Sequence, residues 1–193
     1  MTTWKVRFLE SAILGQGTKD ATADEVLIKC IELAYKDMMT AGRYYSKNFS
    51  ESKNVICNKT KKIIAENAFS FSRSKIDKVS RLFFDSEQLR TGNGYVTRYG
   101  LAQKLVNMSF KYLYVFSDRI FNSGQKVDFS NCDCPLDSII LEKGLNYKKC
   151  KWSRLSQEHY LECQELIKNR LRNEDIDFEL KQLGNLAFDF IIW

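Results

Sequence analysis

Residues 98–118 constrain the fold more than any other stretch. Leu101, Ala102, Leu105, Val106, Met108, Phe110, Tyr112, Leu113, Val115 and Phe116 fall there within a helical pattern and cover more than one face. A surface helix buries a single apolar stripe, whereas a helix that is apolar around most of its circumference must be packed on several sides. The stretch therefore predicts a central helix with other elements around it. Lys104, Asn107 and Lys111 interrupt it.

The flanking sequence supplies amphipathic partners for that centre. Asp24 and Glu25 open a helix expected to run to about Ala41, with Val26, Leu27, Cys30, Ile31, Ala34 and Met38 on one face and Gly42 ending it. A second helix is expected over residues 50–68, with Val55, Ile56, Ile63, Ile64 and Ala68 inward. A third begins at Ser72 or Ser74, with Ile76, Val79, Leu82 and Phe83 inward. Thr91-Gly-Asn-Gly94 is a firm turn signal. Pro135, the one proline, suits the first position of a short helix that Gly144 stops. Ser156 opens a helix to about Arg172 with Tyr160, Cys163, Ile167 and Leu171 as its stripe. A last helix is expected over residues 174–187, followed by an apolar end, 188–193, that should dock on the core. Residues 4–14 form an apolar opening of undetermined type. Residues 15–22, 43–54 and 122–131 read as loops.

One proline and nine glycines are too few for collagen, a Pro-rich linker or a turn-dense β-sandwich. Hydrophobic residues at 44% and charged residues at 28% exclude a disordered chain. The expected fold class is all-α: a compact multi-helix domain over residues 1–193, with room for a division into two helical lobes near residues 91–97.

No run of 18 apolar residues exists, so no membrane span is expected. The N-terminal residues lack the uninterrupted apolar core of a signal peptide, which points to a cytoplasmic protein. Its six cysteines (30, 57, 132, 134, 150 and 163) are then expected as reduced thiols. The formal charge of +6 is compatible with nucleic acid without demanding it. Two basic clusters stand out. One holds Lys53, Lys59, Lys61, Lys62, Arg73, Lys75, Lys78 and Arg81; the other holds Lys143, Lys148, Lys149, Lys151 and Arg154.

Most catalytic constellations fail on residue type or spacing. Cys132, Cys134, Cys150, His159 and Cys163 include enough zinc-ligand types, but their spacing matches no standard zinc motif, so no metal and no cofactor are expected. His159 is the sole histidine, and no Gly-x-Ser-x-Gly elbow accompanies it. Walker loops and a complete Gly-x-Gly-x-x-Gly are absent. Lys104 and Asp137 remain. A lysine on an apolar helix is costly to bury as an ammonium, which favours the neutral, nucleophilic amine. Asp137, at the head of a short helix, sits where backbone N–H groups and the positive dipole end favour a carboxylate.

The stretch Tyr99-Gly-Leu-Ala-Gln-Lys104-Leu-Val-Asn-Met, followed after a loop by Cys134-Pro135-Leu-Asp137-Ser, resembles the helix-hairpin-helix DNA glycosylases, most of all the 8-oxoguanine glycosylases. That resemblance implies an all-helical, two-lobed fold without an obligatory metal. It also implies that Lys104 attacks C1′ of a damaged nucleotide and Asp137 assists, with Lys111 a fallback nucleophile one to two turns along. DNA is then the expected partner. Residues 143–154 (Lys143, Lys148, Lys149, Lys151, Trp152 and Arg154) would contact it, with residues 59–81 as a further phosphate-neutralising group. Candidates to stack on an extruded base are Tyr95, Tyr99, Tyr112, Phe129 and Trp152, of which Trp152 reads as the best exposed.

Arg98-Tyr-Gly100-Leu-Ala-Gln stands where the family carries a Leu-Pro-Gly-x-Gly hairpin. The rival expectation is therefore a non-enzymatic helical interaction protein, mobile-element or defence-related, that binds a protein or nucleic acid on a glycosylase-like scaffold.

Overall fold

A computed structural model of the chain describes residues 22–39, 49–83, 90–91, 94–95, 97–121 and 127–193. The described elements are helical apart from one two-residue antiparallel ladder. Helix α1 spans Ala23–Met39, α2 Phe49–Ala65 and α3 Arg73–Leu82. The ladder pairs β1 (Arg90–Thr91) with β2 (Gly94–Tyr95), Arg90 opposite Tyr95 and Thr91 opposite Gly94. Helix α4 (Arg98–Val115) follows, then α5 (Ser117–Ile120), a π-helical turn at Ile140–Gly144 and a 3-10 turn at Trp152–Arg154. The chain ends with α6 (Gln157–Asn173), α7 (Phe178–Lys181) and α8 (Leu186–Ile192). The expected opening stretch 4–14, residues 43–48 of the expected loop and residues 92, 93 and 96 of the proposed lobe boundary lie outside the described residues; residues 49–54, expected as loop, are instead the first turns of α2, whose helical pattern begins earlier than the polar and aromatic composition suggests.

Helix α4 is the centre that its composition requires. Every residue from Gly100 to Phe110 is buried, and α1 and α3 both pack along it. Helix α1 meets it through Val26, Leu27, Cys30, Ile31, Ala34, Tyr35 and Met38. Its start carries a capping box: Glu25 N donates to Thr22 Oγ1 at 3.3 Å, and Thr22 N donates back to Glu25 Oε2 at 2.7 Å. Gly100 brings the N-terminal end of α4 against the 3-10 turn. A Cβ there would lie 2.7 Å from the carbonyl oxygen of Trp152.

Several boundaries differ from the sequence reading. Helix α2 ends at Ala65 because Asn67, Ala68 and Phe69 all take positive φ (52°, 52° and 62°). Buried Lys75 supports that turn: its Nζ donates to the carbonyls of Ile64 and Glu66, each at 2.7 Å. Ala68 is thus exposed rather than inward, and Val55 is exposed as well; Ile56, Cys57, Thr60 and Ile64 form the buried side of α2. The single helix expected over 174–187 is instead two short ones, α7 and α8. Between them Gly184 has φ +56°, and a Cβ there would lie 2.2 Å from the carbonyl oxygen of Ser130. Pro135 does not begin a helix; it lies in a non-helical segment, and helical turns start only after Asp137.

No described helix is long and apolar enough to cross a membrane. All six cysteines are free thiols, and five of them are buried. Burial pushes the Cys57 thiol up to about 11 and those of Cys30 and Cys163 to about 12, with Cys132 and Cys134 raised as well. An unfolded chain releases these protons near pH 8.5, whereas the folded chain retains them, so stability falls as pH climbs past that value. Burial of Lys75, lowered to about 8, acts in the opposite sense, but it is one group against five. The urea midpoint of the reduced protein should accordingly drop between about pH 8 and pH 10. A midpoint that holds or rises across that interval would contradict this account of the core thiols.

Candidate functional site

The geometry of the site begins with residues 132–137, which pass through the interior without forming a helix or a sheet. Their backbone groups still need partners there. Two glutamines provide them. Gln103 on α4 accepts from Leu136 N at 3.1 Å and donates to Leu136 O at 2.9 Å. Gln164 on α6 accepts from Cys134 N at 3.1 Å and donates to Cys134 O at 2.8 Å. Each amide satisfies one residue's N–H and C=O, as a neighbouring strand would. Pro135 between them has no N–H to satisfy. Asn107 donates to Cys134 O and to Tyr160 Oη, and Tyr160 in turn donates to Asp133, which Arg73 grips through two nitrogens at 2.7 and 3.0 Å.

This anchoring delivers Asp137 to a defined place. Its Oδ1 accepts from Ile140 N at 2.9 Å, capping the turns that follow. Its Oδ2 accepts from Lys104 Nζ, also at 2.9 Å. The side chains are 7% and 15% exposed, so the pair is nearly buried while still open on one side. Lys104 lies one residue after Gln103 on α4, so the helix that binds the segment at Leu136 also carries the amine that meets the acid.

The pair lines a cavity of about 430 Å³, within the range of about 300–1,000 Å³ usual for small-ligand sites. Met108, Tyr112, Ile139, Trp152 and Trp193 supply apolar and aromatic wall. A second ion pair, Lys111 with Asp189, lies one to two turns along α4 from Lys104. Lys111 also sits over the rings of Phe190 (5.5 Å) and Trp193 (5.8 Å). Asp189 Oδ1 is buried without a hydrogen-bond partner, and burial raises its carboxyl above the usual range against the pull of Lys111. Tyr112 Oη donates to Asp37 at 2.7 Å, which with burial pushes the phenol up. Two lysines therefore face three aspartates around one cavity.

The other sequence candidates divide. Trp152 is only 9% exposed and forms cavity wall, which corrects the expectation of an exposed platform; the close approach at Gly100 draws its turn inward. Tyr112 also lines the cavity. Phe129 is core, edge-on to Tyr114, and Tyr99 packs edge-on to Tyr160. The side chain of Tyr95 lies outside the described residues. Lys143, Lys148, Lys149, Lys151 and Arg154 are all exposed, with Lys149 paired to Glu162. The earlier basic cluster is largely neutralised: Lys53 faces Glu32, Lys61 Asp24, Lys78 Glu66 and Arg73 Asp133, while Lys75 is buried as a helix cap. Among the described residues no three metal-ligating side chains converge; His159 Nδ1 lies 3.7 Å from Cys150 Sγ.

Sequence reasoning missed Asp189, Asp37 and Trp193 as cavity residues. Asp189 had one visible signal, an acid inside the otherwise apolar run 186–193. No protein-family model matches this chain, and no curated protein or solved structure shows significant similarity to it.

If Gln103 holds the segment as described, Gln103→Leu leaves a buried N–H and C=O of Leu136 unpartnered, at a cost of about 2–4 kcal/mol. Urea denaturation should show that loss, whereas a variant within ~0.5 kcal/mol of the parent would mean the segment is held by other contacts.

Proposed function

We propose that this chain is a DNA-binding base-excision enzyme of the glycosylase/lyase class, with Lys104 as nucleophile and Asp137 as its assisting carboxylate. The observation that carries the reading is the Lys104–Asp137 contact at 2.9 Å on the wall of an aromatic-lined cavity. An amine with access to a carbon electrophile, beside a carboxylate able to take its proton, is the minimal apparatus for forming a Schiff base.

The steps follow from these residues. A base extruded from a duplex needs a cavity with flat apolar walls, and Trp152, Tyr112 and Trp193 are the aromatic groups at this one. The attacking species is the neutral amine, so the proton on Lys104 Nζ must leave first. Asp137 Oδ2 already accepts a hydrogen bond from that atom and is the acceptor at hand. Nζ then bonds to C1′, and the C1′–N bond breaks with its electron pair leaving on the base, which takes up a proton. As that bond loosens, positive charge grows on the sugar, and carboxylates at the cavity stabilise it. Opening of the sugar, with the N–H proton passing to O4′ as the C1′–O4′ bond breaks, converts the adduct to an imine; loss of a C2′ proton to a base and departure of the 3′ phosphate with the C3′–O electron pair then cut the strand. The exposed cations of residues 143–154, among which Lys151 and Arg154 stand on either side of Trp152 in the sequence, would neutralise backbone phosphates.

Borohydride reduction in the presence of lesion-bearing duplexes tests the reading directly. A covalent protein–DNA adduct should form, vanish in Lys104→Ala and slow by about 10²–10⁴-fold in Asp137→Asn. If no duplex in a panel of oxidised, deaminated and abasic substrates gives an adduct, the enzyme reading fails. Adduct formation that persists in Lys104→Ala but disappears in Lys111→Ala would move the nucleophile along the helix.

A further inference from the structure

A second cavity, of about 410 Å³, lies at the other end of residues 132–137. Cys132 and Asp133 border it, whereas Asp137 borders the first cavity, so the two borders are no more than about 18 Å apart along the chain. Its rim carries Lys168 and Arg172 from α6, one turn apart on the same face, and Lys181 from α7. Arg73 and Asp133 also border it, but they neutralise each other. Glu165 is then the one remaining acid against three cations.

Several other cations in the described structure are each matched by an acid. Lys29, Lys53, Lys61, Lys78, Lys104, Lys111 and Lys149 each face a carboxylate. Lys168, Arg172 and Lys181 have no such partner among the described residues; Arg172 contacts only the amide oxygen of Asn169, at 3.3 Å. All three are exposed yet gathered around a concavity. Like charges so placed repel one another, and a polyanion that enters the groove removes that cost. A concave, positively charged groove of this kind suits phosphodiester oxygens, with Arg172 able to hold two of them at once.

We propose that this groove is a second nucleic-acid site, which takes the phosphate backbone of a DNA strand through Lys168, Arg172 and Lys181. The site rests on the DNA-binding part of the reading above but not on excision at Lys104. Phosphate contacts set position without reading sequence, so the groove contributes affinity and leaves base choice to the aromatic cavity.

Fluorescence anisotropy with an undamaged 30-base-pair duplex, over a salt titration, tests the groove on the full chain. K168E/R172E should bind at least about tenfold more weakly, with a log–log salt slope shallower by about 2. E165K, which adds a cation to the same rim, should bind more tightly than wild type. Circular dichroism melting checks that both variants fold. Equal affinity and slope in wild type and both variants would overturn the groove, and Lys104-dependent trapping in that case would leave excision standing. Failure of the wild-type protein to bind duplex at all overturns the groove and the DNA reading together.

Discussion

Everything at the candidate site depends on residues 132–137 being held inside the protein without regular secondary structure. A bare peptide in an apolar interior is unstable unless each N–H and C=O has a partner. Gln103 and Gln164 supply those partners from opposite neighbours, α4 and α6, and so fasten two helices to one segment. Asn107, Tyr160, Asp133 and Arg73 extend the network to the surface. Asn107 Oδ1 alone among these side-chain atoms is buried without a partner, and elsewhere in the network a shift would strand a buried group, which favours one arrangement.

The network also sets the electrostatic character of the two cavities. At one end Asp137 emerges beside Lys104, and the nearby pair of Lys111 and Asp189 makes a cavity rich in opposed charges and aromatic wall. At the other end Asp133 spends its charge on Arg73 and leaves three cations at the rim unmatched. One segment thus separates a cavity with an excess of carboxylates from a groove with an excess of cations. The first suits chemistry at a developing positive centre, and the second suits a polyanion.

Much of the helical framework was legible in the pattern of apolar residues. Helices α1, α3, α4 and α6 appear close to their expected bounds, because three amphipathic stripes and one all-round apolar stretch are strong periodic signals. The polar residues inside α4 were harder to interpret. Lys104 stands out in the sequence as an anomaly, but Gln103 and Asn107, which are just as buried, carry no local mark of an anchor. Nothing local distinguishes a buried glutamine from an exposed one; only the segment it faces does. The expected helix over residues 174–187 failed for a similar reason, since the left-handed Gly184 answers to the close approach of Ser130, more than fifty residues earlier.

Periodicity and residue type are enough to make the chain helical, to put α4 at its centre and to mark Lys104 and Asp137 as chemically notable. Packing is what brings the amine to the acid, turns Trp152 inward to form wall, makes Pro135 part of a non-helical thread and sets Asp189 at the same cavity. Those outcomes depend on contacts between residues far apart in the chain. Such contacts are set by how whole helices pack and by which buried backbone groups must be satisfied, and neither is written in any short window of sequence.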